Sequence, residues 1–172
     1  MTRFKITNEE NLTKELSAKV KNRIEQEARF DRAWFSQPET FDPHKHVMEE
    51  ERLNRTISLI PPGTSKACDL GFGSGYLSDA LIQKGYEVDS VDISKIAIDR
   101  YKGKAKTSQD YVPYTKLEDG TYSVVLATDL IAHLPESERR LLISECSRLI
   151  NPNGRLIIST PLDVQSTDAA ER

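Results

Sequence analysis

The chain has 172 residues, 37% of them hydrophobic and 30% charged, with 24 Lys and Arg against 27 Asp and Glu for a formal charge of −3. That length suits one domain with a sizeable buried core, and the composition excludes a disordered or fibrous polymer. Up to Ile60 there are 11 basic and 11 acidic residues and beyond it 13 and 16, so neither half is a basic arm and net charge weighs against nucleic acid or an anionic membrane as partner.

The longest uncharged apolar runs, such as Ser123–Thr128, are too short to span a bilayer, and the first ten residues have no apolar signal core. The only two cysteines, Cys68 and Cys146, exclude a disulfide framework and point to a reducing cytoplasm.

The first sixty residues read as helical. Thr7 and Glu10 have the spacing of a capping box, and Leu12, Leu16, Val20 and Ile24 recur every four residues as a stripe that covers a neighbour with one side. Phe30 to Phe41 concentrates aromatics and interrupts the pattern. A second helix opens at Asp42–Pro43, carries Val47, Met48, Leu53, Ile57 and Ile60, and stops at Pro61-Pro62-Gly63. Strand and helix signals then alternate: a strand over 66–70, a helix over 75–84 closed by Gly85, a strand over 87–92, and a helix over 94–101 capped by Ser94. A weak strand follows over 105–107, then a β-branched strand over 122–128, a helix over 135–150, a turn at Asn151–Gly154 and a last strand over 155–159. Such alternation implies an α/β fold with a parallel sheet covered on both faces.

The stretch Asp69-Leu70-Gly71-Phe72-Gly73-Ser74-Gly75-Tyr76 carries the chemistry. A strand enters a loop with glycine at alternate positions and leaves it as a helix, which places backbone amides and a helix N-terminus around a ligand. Asp92 lies 21 residues after Gly71 at the end of the next strand, where a carboxylate can accept bonds from both hydroxyls of a ribose. A dinucleotide fingerprint needs glycine or alanine at position 76, where Tyr76 stands, so NAD fits poorly.

The Gly-x-Gly-x-Gly spacing behind Asp69 resembles motif I of class I S-adenosylmethionine-dependent methyltransferases, and the resemblance extends over most of residues 65–161. Val88–Ser94 is similar to the family's second motif, Tyr122–Pro135 to its fourth-strand motif, and Leu149–Ser159 to its helix-to-strand-five element. Phe72 in place of a commoner cysteine and Ser123 in place of an acidic residue depart from the pattern. The resemblance implies S-adenosylmethionine as cofactor and S-adenosylhomocysteine as product. It also implies cofactor contacts from Asp69, Gly71, Phe72, Gly73, Gly75, Asp92, Ile93, Asp110, Tyr111, Thr128, Asp129 and Leu130, with Ile93 against the adenine and Asp110 near its amino group. His133 follows the strand whose end faces the methyl group and is the candidate general base for a hydroxyl acceptor; packing at the start of the next helix is its other role. Trp34 and Phe35 read either as a lid over cofactor or substrate or as a plug between the N-terminal helices and the core. His44 and His46 do not share a helix face, and no metal site is expected.

These readings converge on a Rossmann-like doubly wound sheet of order 3-2-1-4-5, with strands six and seven of the family absent. The expected parts are a helical cap over 1–62, a cofactor-binding core over 63–161 and a polar tail over 162–172 that leaves open a truncated chain. The fifth strand is then an edge, to be covered by the N-terminal helices or paired in a homodimer. The expected function is methyl transfer to an N or O atom of a small-molecule acceptor. An RNA or protein methyltransferase and a non-catalytic adenosylmethionine-binding module are the alternatives.

Overall fold

A computed structural model describes residues 9–160, with side chains from residue 13 onward. Two helices come first, α1 (Glu9–Ser36) and α2 (Val47–Leu59). The core then alternates: β1 (Lys66–Leu70), α3 (Tyr76–Gln83), β2 (Glu87–Asp92), α4 (Lys95–Arg100), β3 (Lys106–Gln109), β4 (Tyr122–Thr128), α5 (Glu136–Leu149) and β5 (Ile150–Ser159). The five strands form one parallel sheet of order β3-β2-β1-β4-β5. Strand alternation sends Ala67, Val88, Leu126 and Ile157 to one face, where they pack with Ile60 and Ile57 of the α2 end and with Leu81 of α3. Cys68, Leu70, Val91 and Val125 point to the other face, against Leu142, Cys146 and Leu149 of α5. The order reverses between β1 and β4, so a crevice opens beyond their C-terminal ends.

Several expectations shift. The α1 helix does not break at Phe30 but runs on to Ser36, because no Gly or Pro intervenes before Pro38. Its stripe covers nothing among the described residues: Leu16, Val20 and Ile24 are 54%, 57% and 60% exposed. At ~1.5 Å per residue a 28-residue helix outreaches the α4 helix it leans on, and it is seated mainly through its second half. Asp42–Pro43 starts a short 3-10 turn, with the Asp42 carboxylate accepting from the His44 amide, and α2 begins four residues later with Val47 and Met48 exposed. The expected turn at Asn151–Gly154 is a bulge inside β5, where the register steps from Tyr122↔Ile150 to Val124↔Arg155. β3 lies one to two residues later than expected, at Lys106–Gln109. The Thr7 cap and the 162–172 tail lie outside the described residues.

The cap is tied to the core by polar bonds. Asp31 of α1 accepts from the Ser94 hydroxyl at 2.6 Å, Glu27 accepts from Gln109 at 2.9 Å, and Arg155 of β5 donates to the Leu59 carbonyl at 3.1 Å. These bonds bring α1 and α2 over the crevice.

Candidate active site

A cavity of about 510 Å³ fills the crevice between cap and core. Its floor is the glycine loop and the ends of β2 and β4; its roof comes from Phe30 and Trp34 of α1, Phe41, and Glu49, Arg52, Leu53 and Thr56 of α2. Gly71, Gly73 and Gly75 all adopt positive φ, at +69°, +54° and +84°. At Gly73 this leaves open space: an added Cβ would meet nothing closer than 4.0 Å, with the Trp34 ring among its nearest neighbours. The loop is held by bonds from Gly71 N and Phe72 N to the Val91 carbonyl, at 2.8 and 3.2 Å.

Asp92 ends β2 at the cavity wall, 7% exposed, and both its oxygens take backbone donors: Gly73 N at 3.0 Å and Ser94 N at 2.8 Å. Burial pushes its carboxyl above the ordinary range, opposed by those amide bonds and that of Ile93. Ile93 lies beside it on the wall. Asp110, just after β3, is 5% exposed and accepts from Tyr111 N at 2.9 Å and Lys116 N at 2.7 Å. The end of β4 brings Thr128, Asp129 and Leu130. Asp129 sits at φ +54°, a conformation unusual for a residue with a side chain, and its carboxylate pairs with Arg52 of α2 at 2.8 Å. His133, in a 3-10 turn beyond β4, meets the Phe30 ring edge-on at 5.4 Å. Burial, and then the nearby Arg29 cation, hold its imidazole below the ordinary histidine range against the pull of Asp129, so it is neutral near pH 7.

Twelve expected residues therefore line one cavity: Trp34, Gly71, Phe72, Gly73, Asp92, Ile93, Asp110, Tyr111, Thr128, Asp129, Leu130 and His133. Three do not. Asp69 points beneath the loop, 1% exposed, where it accepts from Ser78 at 2.7 Å; burial pushes its carboxyl up to about 7, and its Oδ1 has no partner among the described residues. Gly75 packs on Tyr101, whose ring would lie 2.4 Å from an added Cβ. Phe35 is 81% exposed, since one helical residue after Trp34 turns it ~100° away. Gln26, Phe30, Phe41, Glu49, Arg52 and Thr56 were not read from sequence. Their traces are helical spacing on α1 and α2, Gln26-Phe30-Trp34 and Glu49-Arg52-Thr56, and the aromatic concentration that ends at Phe41.

The model of the methyltransferase domain family matches residues 68–158, which is more than half of the chain. The chain belongs to that family. This class I methyltransferase is 31% identical over 123 residues to a ubiquinone biosynthesis O-methyltransferase of Coxiella burnetii, an alignment covering 67% of the chain and 51% of the relative. It is 26% identical over 133 residues to the Xylella fastidiosa protein of the same name, covering 70% and 53%. The chain spans about half the length of these curated relatives. Among solved structures it resembles a SAM-dependent methyltransferase from Archaeoglobus fulgidus, with TM-score 0.58, 23% identity and coverage of 77% and 57%. It also resembles a geranyl diphosphate C-methyltransferase from Streptomyces coelicolor, with TM-score 0.52, 18% identity and coverage of 65% and 45%.

S-adenosylmethionine is the cofactor of this family, and the residues fit it. The cradle at Gly73 is one that a Cβ would begin to fill, a buried carboxylate stands at the end of β2, and an apolar Ile93 adjoins it. No helix among the described residues is long and apolar enough to cross a membrane.

Proposed function

We propose that the protein transfers a methyl group from S-adenosylmethionine to an oxygen atom of a small-molecule acceptor. The observation that carries this reading is that His133 lines the same cavity as the glycine loop and Asp92, with its imidazole held below the ordinary histidine range. When bound, the cofactor supplies the methyl group on a cationic sulfur, so the protein chiefly aligns the partners and excludes water. Asp92 holds the ribose hydroxyls, Ile93 flanks the adenine, and Asp110 accepts from its amino group. Arg52, the one Lys or Arg side chain lining the cavity among the described residues, complements the methionine carboxylate. Its partner Asp129 complements the ammonium. A hydroxyl acceptor gains from a base where an amine needs none, and His133 holds that place. The curated relatives named as O-methyltransferases support the oxygen acceptor.

The apolar and aromatic roof from Phe30, Trp34, Phe41 and Leu53 suits an acceptor of small-molecule size better than a polymer. The two buried free cysteines support a cytoplasmic setting.

The test is transfer of a deuterated methyl group to a panel of phenols, catechols and aromatic amines, read by mass spectrometry. Labelled phenol or catechol ethers are the expected products, formed ~10²-fold or more slowly by His133→Ala. Because the folded protein holds the imidazole low, the rate should fall only below the ordinary histidine value near pH 6.5, as the base becomes protonated. Labelling of amines alone, unaffected by His133→Ala, would contradict the reading.

A further inference from the structure

Beneath the adenine end of the cavity lies a carboxylate with no place in the scheme above. Glu138, in the first turn of α5, is 3% exposed and does not line the cavity. Its one side-chain partner among the described residues is the Tyr111 phenol, which donates to Oε2. Tyr111 does line the cavity, is itself 5% exposed, and follows Asp110 directly. A buried carboxylate is costly unless its bonds are made, so this pair spans two elements at a site that simple packing would fill with apolar side chains.

The bond has a direction that matters at the cavity. The Tyr111 amide donates to Asp110 Oδ1 at 2.9 Å, while Lys116 N donates to Oδ2 at 2.7 Å. The orientation of the Asp110 carboxylate is thus set by where the backbone at Tyr111 lies. That backbone is anchored on one side by Asp110 N bonded to the Asp92 carbonyl at 3.0 Å. On the other side the anchor is the Tyr111 side chain on α5. Farther along, Glu145 of α5 accepts from both the amide and the hydroxyl of Thr115, which fixes the end of the same loop. Burial and the bond to Glu138 both raise the Tyr111 phenol above its ordinary range, so it stays a donor through physiological pH.

We propose that Glu138 is a positioning residue for base recognition: through Tyr111 it aims the Asp110 carboxylate at the amino group of adenine and so sets the preference for an adenine-bearing cofactor. The inference rests on the reading of Asp110 given above. Its readout is a ratio, not an affinity. S-adenosylhomocysteine is compared with the analogue in which a carbonyl oxygen replaces the adenine amino group, both by calorimetry on the full chain. The wild-type protein should prefer the amino compound by about tenfold or more, because a carbonyl there opposes a carboxylate.

The variant Tyr111→Phe/Glu138→Leu removes both partners, which is the least disruptive way to delete a buried bond. It should cut the ratio at least about threefold. Glu138→Gln, whose amide oxygen still accepts the phenol proton, should keep it. If the double variant does not fold, Tyr111→Phe/Glu138→Gln is read by the same ratio, with the same expected drop.

A merely structural pair would lower melting temperature and leave the ratio at its wild-type value, and that result would overturn the proposal. Loss of the ratio in Glu138→Gln as complete as in the double variant would overturn the role of the hydrogen bond. A wild-type protein with no preference would refute the Asp110 reading and this inference with it. Absence of S-adenosylhomocysteine binding would refute the cofactor assignment before either.

Discussion

Replacing Asp92 by alanine separates a cofactor-binding carboxylate from an ordinary loop aspartate. In the structure the side chain already satisfies two backbone donors, Gly73 N and Ser94 N. Removing it leaves both without that acceptor, a stability cost of about 2–3 kcal/mol at ~1 kcal/mol or somewhat more per bond. Relief of a buried charge offsets part of that cost, since burial already pushes this carboxyl up. The cofactor term is separate. Two charge-assisted bonds to ribose hydroxyls use the remaining lone pairs, and their loss is worth about 2–3 kcal/mol, or roughly 30- to 150-fold in Kd. The assay is titration calorimetry with S-adenosylhomocysteine at a temperature where the variant's melting curve shows it folded. Asp99→Ala is the control, because Asp99 sits on the exposed side of α4 and its carboxylate pairs with an exposed Lys95. It should bind as the parent does. An Asp92→Ala protein that is folded and binds within twofold of the parent would refute the assignment.

Other outcomes follow from single contacts. Gly73→Val places a β-branched side chain at a positive φ and into the cradle, so binding of S-adenosylhomocysteine should fall more than tenfold in calorimetry while the strands keep their circular-dichroism signal. Asp69 binds its proton in the folded state up to about pH 7, against a usual value of 3.8, so the folded form is favoured below that window and loses stability as pH rises through it. Asp69→Asn should flatten the dependence of melting temperature on pH between about 4 and 7 and be the more stable protein at pH 8, by up to about 4 kcal/mol. Ser at Leu16, Val20 and Ile24 together should change unfolding free energy by less than about 1 kcal/mol, because all three are more than half exposed; denaturant titration checks it.

The parts of this molecule legible in the sequence are those whose signals are local. Glycines at 71, 73 and 75 between an apolar strand and a helix become a specific signal together with Asp69 and with Asp92, which follows at the distance one helix and one strand require. The strands β1, β2 and β4 were readable to the residue because their apolar runs end at glycine, charge or polar loop. Position within a strand was harder. Asp69 adjoins the glycine loop in sequence, yet alternation along β1 turns it toward Ser78 of α3, under the loop and off the cavity wall. The cap was least legible, since α1 and α2 show helical periods but nothing in them says which face is seated. Phe30 and Trp34 share the cavity face and Phe35 does not, and the stripe that looks like a packing surface is in water. Arg52 and Asp129 meet across 77 positions of sequence, a pairing only the fold supplies.

Paired calorimetric titrations of the full chain with S-adenosylhomocysteine and with NAD test most directly whether the cavity is built for adenosylmethionine. The expected result is saturable 1:1 binding of S-adenosylhomocysteine, weakened more than tenfold by Gly73→Val, and no heat from NAD. Tight binding of NAD with none of S-adenosylhomocysteine would contradict it.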